Sequence, residues 1–378
     1  MITEKLFINE VKKSIFKVID KKSFLCNSEV YNLEKEVEKF LNIKYAVGMN
    51  TCTDALMIGI KIFDFKEKDE IICPAFTFFS TAGSIVWAGN KPVLVDIDPL
   101  TFNINVEKVK KAVTKKTKAI IPVHLYGQLA DIHEIKKISK NNNLIIIEDM
   151  AQSFGAKLIN REKFLFGEIG CLSFYPGKIM GAMGDGGMLL TNDKNISDQA
   201  RLLRNFGAYT EKDMYIDHKI VGRSCFLQEI QAAALRVKLK YIALFLKHRQ
   251  KIANLYSELL DGVGDLRLPF SSQKNVHVFN YYVIRTSYRD GLRQFLNKKG
   301  INTFVFYPQP LHLMKAFKNF GYKKNDFPEA EKAAKETLAL PINEFLELHR
   351  IKEISNHIKN FFKKGKHSYD YEKENNKK

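Results

Sequence analysis

A succession of short apolar runs, with stretches of helical character between them, constrains this chain most: Glu70-Ile71-Ile72, Pro92 to Val95, Ala119 to Pro122, Leu144 to Ile147, Leu172 to Tyr175 and Met188 to Thr191. Runs that are apolar throughout suit strands covered on both faces. Their alternation with helices predicts an α/β fold, a mainly parallel sheet between helices. A chain of 378 residues, 45% of them hydrophobic, can bury one large core and a smaller one. An Ala- and Leu-rich helix near Leu227 to Leu246 is expected to lead from one to the other. The reading is a large domain over residues 1–246 and a smaller C-terminal α/β domain over 247–362, with a strand near Phe279 to Ile284 and a helix at Arg289 to Lys298. Residues 1–22 are Lys-rich, an arm against a partner or an exposed helix. The polar end, 363–378, has little to bury, and disorder is expected there.

Ligands of open α/β sheets sit beyond the carboxyl ends of strands. Two segments in such positions carry the chemistry. Glu148-Asp149-Met150-Ala151-Gln152-Ser153 follows one apolar run, and Ser173-Phe174-Tyr175-Pro176-Gly177-Lys178, with Gly184-Asp185-Gly186-Gly187 after it, closes another. A lysine on a tight loop between buried strands is desolvated, which lowers its pKa and leaves the amine nucleophilic. Pyridoxal phosphate (PLP) needs such an amine to condense with its aldehyde. It also needs a carboxylate beside the pyridine nitrogen, so that the ring stays protonated and accepts electrons. Lys178 and Asp149 fit those two roles.

Further segments extend the pattern: Gly48-Met49-Asn50-Thr51-Cys52-Thr53-Asp54-Ala55-Leu56 at a helix start, Pro74-Ala75-Phe76-Thr77-Phe78-Phe79-Ser80-Thr81, Pro122-Val123-His124-Leu125-Tyr126-Gly127, and Phe306-Tyr307-Pro308-Gln309-Pro310-Leu311-His312-Leu313 with Leu338-Ala339-Leu340-Pro341-Ile342. From about Leu25 to about Ile354 the chain resembles the DegT/DnrJ/StrS family of nucleotide-sugar aminotransferases, PLP enzymes of fold type I. By that resemblance Thr53 and the backbone of Cys52, which stands in the place of the family's glycine, contact the cofactor phosphate at a helix N-terminus. Ser173 helps hold that phosphate, Phe78 stacks on the ring, and Gln152 bonds near its phenolic oxygen. His124 is read as a satisfied histidine near the pocket. Tyr307 and His312 are implied as substrate contacts.

Some positions depart from the family. Ser224 and Phe226 stand where relatives carry an asparagine and an arginine, which puts in question a cofactor contact made across a subunit interface. Met183 and Phe206 replace a tyrosine and a histidine and bear on substrate recognition. The resemblance implies a homodimer with L-glutamate as amino donor, and Lys178 as general base and acid. The acceptor would be a nucleotide-linked keto sugar, most closely C3 of a dTDP-linked 3-keto-6-deoxyhexose, from the spelling of Phe76 to Phe79 and Tyr126-Gly127-Gln128. Alternatives are a UDP-linked 3-keto uronic acid, a 4-keto sugar, or a regulatory protein that binds PLP without turnover.

The formal charge of +18 raises a nucleic-acid partner, but the lysines are dispersed and no reading motif accompanies them. A milder consequence is a field that attracts anionic substrates. The five cysteines lack C-x-x-C spacing and no secretory leader precedes them, consistent with a reducing cytoplasm. The longest charge-free stretch, Ile71 to Asn90, is broken by Pro74 and polar residues and is a poor membrane span. No metal-ligand cluster is apparent.

Overall fold

A computed structural model describes residues 2–25, 27–159, 164–211 and 214–363. Its centre is a seven-stranded sheet formed by β1 (Tyr45–Met49), β2 (Glu70–Pro74), β3 (Lys91–Val95), β4 (Thr117–Ile120), β5 (Ile145–Asp149), β6 (Ile169–Ser173) and β7 (Gly187–Thr191), in the order β1-β7-β6-β5-β4-β2-β3. Strands β2 to β6 pair in parallel, while β7 runs antiparallel to both β6 and β1. Only β7 therefore runs against the others. The carboxyl ends of β1, β2, β4, β5 and β6 and the amino end of β7 all meet at one edge. Central strands such as β2 and β7 are buried along their whole length, as their uninterrupted apolar runs require.

β1 was not foreseen as a strand. Its outer edge is closed by side chains instead of another strand: Glu38 accepts from the Ala46 amide (3.1 Å) and Glu34 from the Gly48 amide (2.7 Å). Arg201 and Arg204 donate to the Ala46 and Gly48 carbonyls (3.0 and 2.7 Å). Every outward backbone group in that stretch is thereby satisfied, which protects an edge strand from foreign pairing.

The Ala- and Leu-rich helix spans Glu229–Leu260, well past Leu246, so residue 246 lies inside it. Beyond Leu246 the helix continues to bury one face, with His248, Arg249, Ile252, Ala253 and Tyr256 all buried. The N-terminal segment forms a helix, Glu4–Asp20, that packs Phe7 and Val11 onto Ala234, Val237 and Phe245 of this same long helix. Toward the C-terminus, β8 (Tyr282–Arg285) pairs antiparallel with β9 (Thr337–Leu340), and Leu292, Leu296, Ile351 and Ile354 form a separate cluster with them. The helix Arg289–Lys298 lies where its pattern places it. Leu311, Phe317 and Ala330 pack instead with the core under the main sheet, so the C-terminal third is divided between two cores. The tail expected to be disordered lies, from residue 364 on, outside the described residues.

Candidate active site

Asp149 ends β5 and is buried. Its Oδ2 accepts from the Thr81 hydroxyl (2.8 Å), which is itself paired with Thr77 (3.1 Å), and its Oδ1 accepts from the Ala151 amide (3.1 Å). Burial raises the carboxyl pKa above the usual aspartate value, while Thr81, Ala151 and the nearby Lys178 charge hold it down. No helix begins at Met150, so Asp149 is not a cap.

Lys178 lies on the loop between β6 and β7, half-buried, its amide donating to the Tyr175 carbonyl (2.9 Å). Its Nζ stands 5.8 Å from the centroid of the Tyr281 ring. Burial lowers its pKa below the ordinary lysine value, and the nearby Asp149 carboxylate opposes that shift. A neutral amine is thus more accessible here than on a surface lysine.

The helix Cys52–Lys61 points its first turn at the same edge. Thr51 caps it by accepting from the Asp54 amide (2.9 Å). The amides of Cys52 and Thr53 precede any intrahelical acceptor and remain as anion donors. Gly187 is required here, because a Cβ on it would come within 2.4 Å of the Cys52 nitrogen. Thr53 Oγ1 donates to Ser80 Oγ (2.8 Å). The Cys52 thiol bonds weakly to the Cys171 carbonyl (3.5 Å), and burial first, then Asp149, push its pKa well up, so it stays protonated.

Gln152 accepts from the Tyr126 amide (2.8 Å) and donates to the Tyr307 hydroxyl (2.8 Å). Tyr307 also lies edge-on to Phe76 and 6.0 Å from the Phe78 ring, which is 57% exposed. Tyr307 thus stands between Gln152 and the two phenylalanine rings. Ser173 ends β6 and accepts from the Tyr175 amide (3.3 Å), leaving its own proton to donate. Met183 is exposed, its amide bonded to Gln231 (2.9 Å). Ser224 is exposed and bridges to Asn205.

His312 is a correction. The turn Leu311–Leu313 directs its ring inward, where Nε2 meets Glu331 (3.1 Å) and the ring stands edge-on to Phe327. It is 2% exposed and has no open face for a sugar. His124 is also buried: Nδ1 accepts from the Ala130 amide (3.0 Å), so the proton sits on Nε2 and is donated to Glu148 (2.8 Å). Glu148 uses its other oxygen on the Phe166 and Gly167 amides and is architectural. Sequence reasoning assigned no role to Thr81 or Tyr281. Thr81 closes a quoted segment, and its spacing of four from Thr77 was the available sign.

A desolvated amine, a buried carboxylate and an anion-binding helix start are the demands of PLP, and all three meet at this edge. Fold and site define a PLP-dependent enzyme of the fold type I aminotransferases. The chain belongs to the DegT/DnrJ/EryC1/StrS aminotransferase family, whose profile matches residues 6–359. It is 44% identical over 339 residues to a Geobacillus stearothermophilus protein named pleiotropic regulatory protein, covering 88% of this chain and 90% of that one. It is 36% identical to the UDP-N-acetyl-3-dehydro-alpha-D-glucosamine 3-aminotransferase of Acidithiobacillus ferrooxidans, covering 88% and 89%. With the dTDP-3-amino-3,4,6-trideoxy-alpha-D-glucose transaminase of Streptomyces venezuelae the identity is 33%, covering 89% and 88%. The crystal structure of S. venezuelae DesV in complex with a ketimine intermediate superposes with a TM-score of 0.90 at 31% identity, over 94% of this chain and 95% of that one.

Proposed function

We propose that this sugar aminotransferase moves an amino group from L-glutamate to C3 of a dTDP-linked 3-keto-6-deoxyhexose, in amino-sugar biosynthesis for a surface polysaccharide or glycoconjugate. The observation that carries the transfer chemistry is a buried carboxylate, Asp149, and a desolvated amine, Lys178, at the same edge of the sheet. When bound, PLP supplies an aldehyde carbon for amine exchange and a protonated ring that takes up an electron pair. Lys178 Nζ would hold the aldehyde carbon, and as a free amine the same atom would serve as the base that takes the proton from the donor's α-carbon and as the acid that gives it back. Asp149 keeps the proton on the ring nitrogen. Gln152, with one Nε2 hydrogen left beyond Tyr307, serves the phenolic oxygen, and Phe78 covers the ring. The Cys52 and Thr53 amides, the Thr53 hydroxyl and Ser173 hold the phosphate.

Carbon 3 is favoured over carbon 4 because the names of the A. ferrooxidans and S. venezuelae relatives place the amine there. The spelling of Phe76 to Phe79 and Tyr126-Gly127-Gln128 favours a dTDP sugar, and the A. ferrooxidans relative supports a UDP-linked 3-keto sugar as the alternative. Tyr307 and Met183 are the proposed sugar-side contacts. We place the enzyme in a homodimer with Ser224 turned to the partner's cofactor; the exposed apolar side chains of Phe78, Met183 and Val221 support that assembly. Among the described residues no helix is long and apolar enough to cross a membrane. Free cysteines buried in the core support a reducing cytoplasm.

The test begins with the absorbance spectrum of the protein with PLP, before and after L-glutamate. Conversion to the pyridoxamine phosphate band, then product mass from a panel of keto sugars, establishes donor and acceptor. The regulatory name of the G. stearothermophilus relative favours a second reading, binding without turnover. A glutamate-insensitive spectrum would uphold that reading over ours.

A further inference from the structure

Asn280 lies far from Lys178 in sequence, yet its Oδ1 accepts from the amide of Ile179, the next residue after the lysine (3.1 Å). The Ile179 donor fixes which end of the amide is oxygen. Asn280 is 2% exposed. Burial raises the pKa of the Tyr281 phenol, and a hydrogen bond from the Asn280 side chain opposes that shift, so the asparagine touches both the lysine loop and the ring beside the amine. The segment around it is held from three sides. Arg249 Nη1 donates to the carbonyls of Phe279 (3.2 Å) and Asn280 (3.4 Å), while its Nη2 pairs with Glu344 (2.9 Å), which Lys238 also engages (2.8 Å). Val278 and Tyr281 donate to the carbonyls of Gly127 and Tyr126. Gly127 has φ +109°, and a Cβ there would stand 2.9 Å from the Asn280 and Phe279 nitrogens, so the two backbones press directly together. Tyr281, next in sequence, presents the ring over which Lys178 Nζ stands.

We propose that Asn280 is a positioning residue for Lys178: anchored through Arg249 and Glu344, it fixes the lysine loop by its bond to Ile179, so that the amine stays over Tyr281 and within the desolvated pocket. This rests on the reading of Lys178 as the cofactor-binding amine. The groups facing that amine are Asp149 on β5, Cys52 at the helix start and Tyr281, and Asn280 itself carries no charge to the site.

The test uses the cofactor-free full chain. The pH dependence of Lys178 acylation by acetic anhydride, located by mass spectrometry, is compared in wild type and Asn280→Ala, with Asn280→Ser as the second variant should the first not fold. With the anchor gone the amine reaches water, and the midpoint of labelling rises toward the ordinary lysine value by about one pH unit. In the loaded enzyme kcat falls by about 100-fold, as for a misplaced reacting group, with KM for glutamate within about two-fold. A variant that melts earlier but keeps the labelling midpoint and kcat makes Asn280 a packing residue and overturns the inference. A wild-type Lys178 labelled like a surface lysine would instead overturn the cofactor-site reading, and this inference with it.

Discussion

Glu34 and Asp149 are both buried carboxylates, at 1% and 4% exposure, but they are given different kinds of partner. Glu34 meets Arg201 (2.8 Å) and Arg204 (3.1 Å) as well as the Gly48 amide. Asp149 has a threonine hydroxyl and one amide, and no ion pair among the described residues. Taking a charge out of water is tolerable when fixed opposite charges surround it, and that describes Glu34, which closes the edge of β1. Asp149 is left with a raised pKa. A carboxylate so under-compensated at the carboxyl edge of a parallel sheet is suited to a cationic ligand atom, here a protonated ring nitrogen. Burial alone does not separate architecture from chemistry; the partners do.

The strongest way to break this contrast is Lys178→Ala. It removes the amine that performs both condensation and proton transfer, and also the charge that holds the Asp149 carboxyl down. Turnover should fall by about 10⁴-fold in protein supplied with PLP. Transaminase assays showing substantial remaining activity would remove Lys178, and Asp149 with it, from the reaction.

Asp149→Asn is next, with kcat down by roughly 10²–10³-fold from loss of one charge-assisted contact. Its stability effect has the opposite sign. The folded-state pKa of Asp149 is raised, so its stabilising contribution is complete below the unfolded value, about 3.9, and is lost as pH rises through the folded value. Cofactor-free Asp149→Asn should therefore be at least as stable as wild type at neutral pH, with the advantage disappearing toward pH 4. Denaturation midpoints across that range check it. Glu34→Gln should behave the other way: kcat within about two-fold, and a loss of about 2–3 kcal/mol, below the usual figure for a broken buried pair because Arg201 is about a third exposed.

Lys178 and Asp149 were singled out because each is defined by its neighbours in sequence, a strand and a tight loop. Their partners were not. Thr81 reaches Asp149 across 68 residues and Asn280 reaches Ile179 across 101, and no periodicity encodes such pairings. The fold shows the same division. The apolar runs gave most of the main sheet's strands, whereas β1 was hidden because Gly48 and Met49 also open the segment read as a helix start, and the long helix continues past Leu246 through Arg249, a buried cation that Glu344 pairs from 95 residues away. His312 failed for a related reason: a loop motif does not say which of its side chains turns inward. His312→Gln should accordingly lower stability by about 1–2 kcal/mol through its bond to buried Glu331, and leave KM for the sugar unchanged. A raised KM with unchanged stability would return the residue to the substrate side.

The smallest expected effect tests whether the anion cradle is built mainly from backbone. Thr53→Val removes a hydroxyl, now donated to Ser80, and keeps the amide at the helix start. If the Cys52 and Thr53 amides and the helix dipole carry most of the phosphate's binding, PLP affinity drops only about 3–10-fold, the value of one neutral hydrogen bond. The same logic makes Cys52→Gly nearly silent, since the thiol is protonated and occupied with the Cys171 carbonyl while the amide is retained. Cofactor titration by fluorescence quenching measures both. A loss of 100-fold or more at Thr53 would mean that the side chain, not the helix terminus, is the principal anchor. The cradle would then be as dependent on a few chosen side chains as Asp149 is, and the contrast with the fixed, fully paired Glu34 would extend to the phosphate end of the pocket.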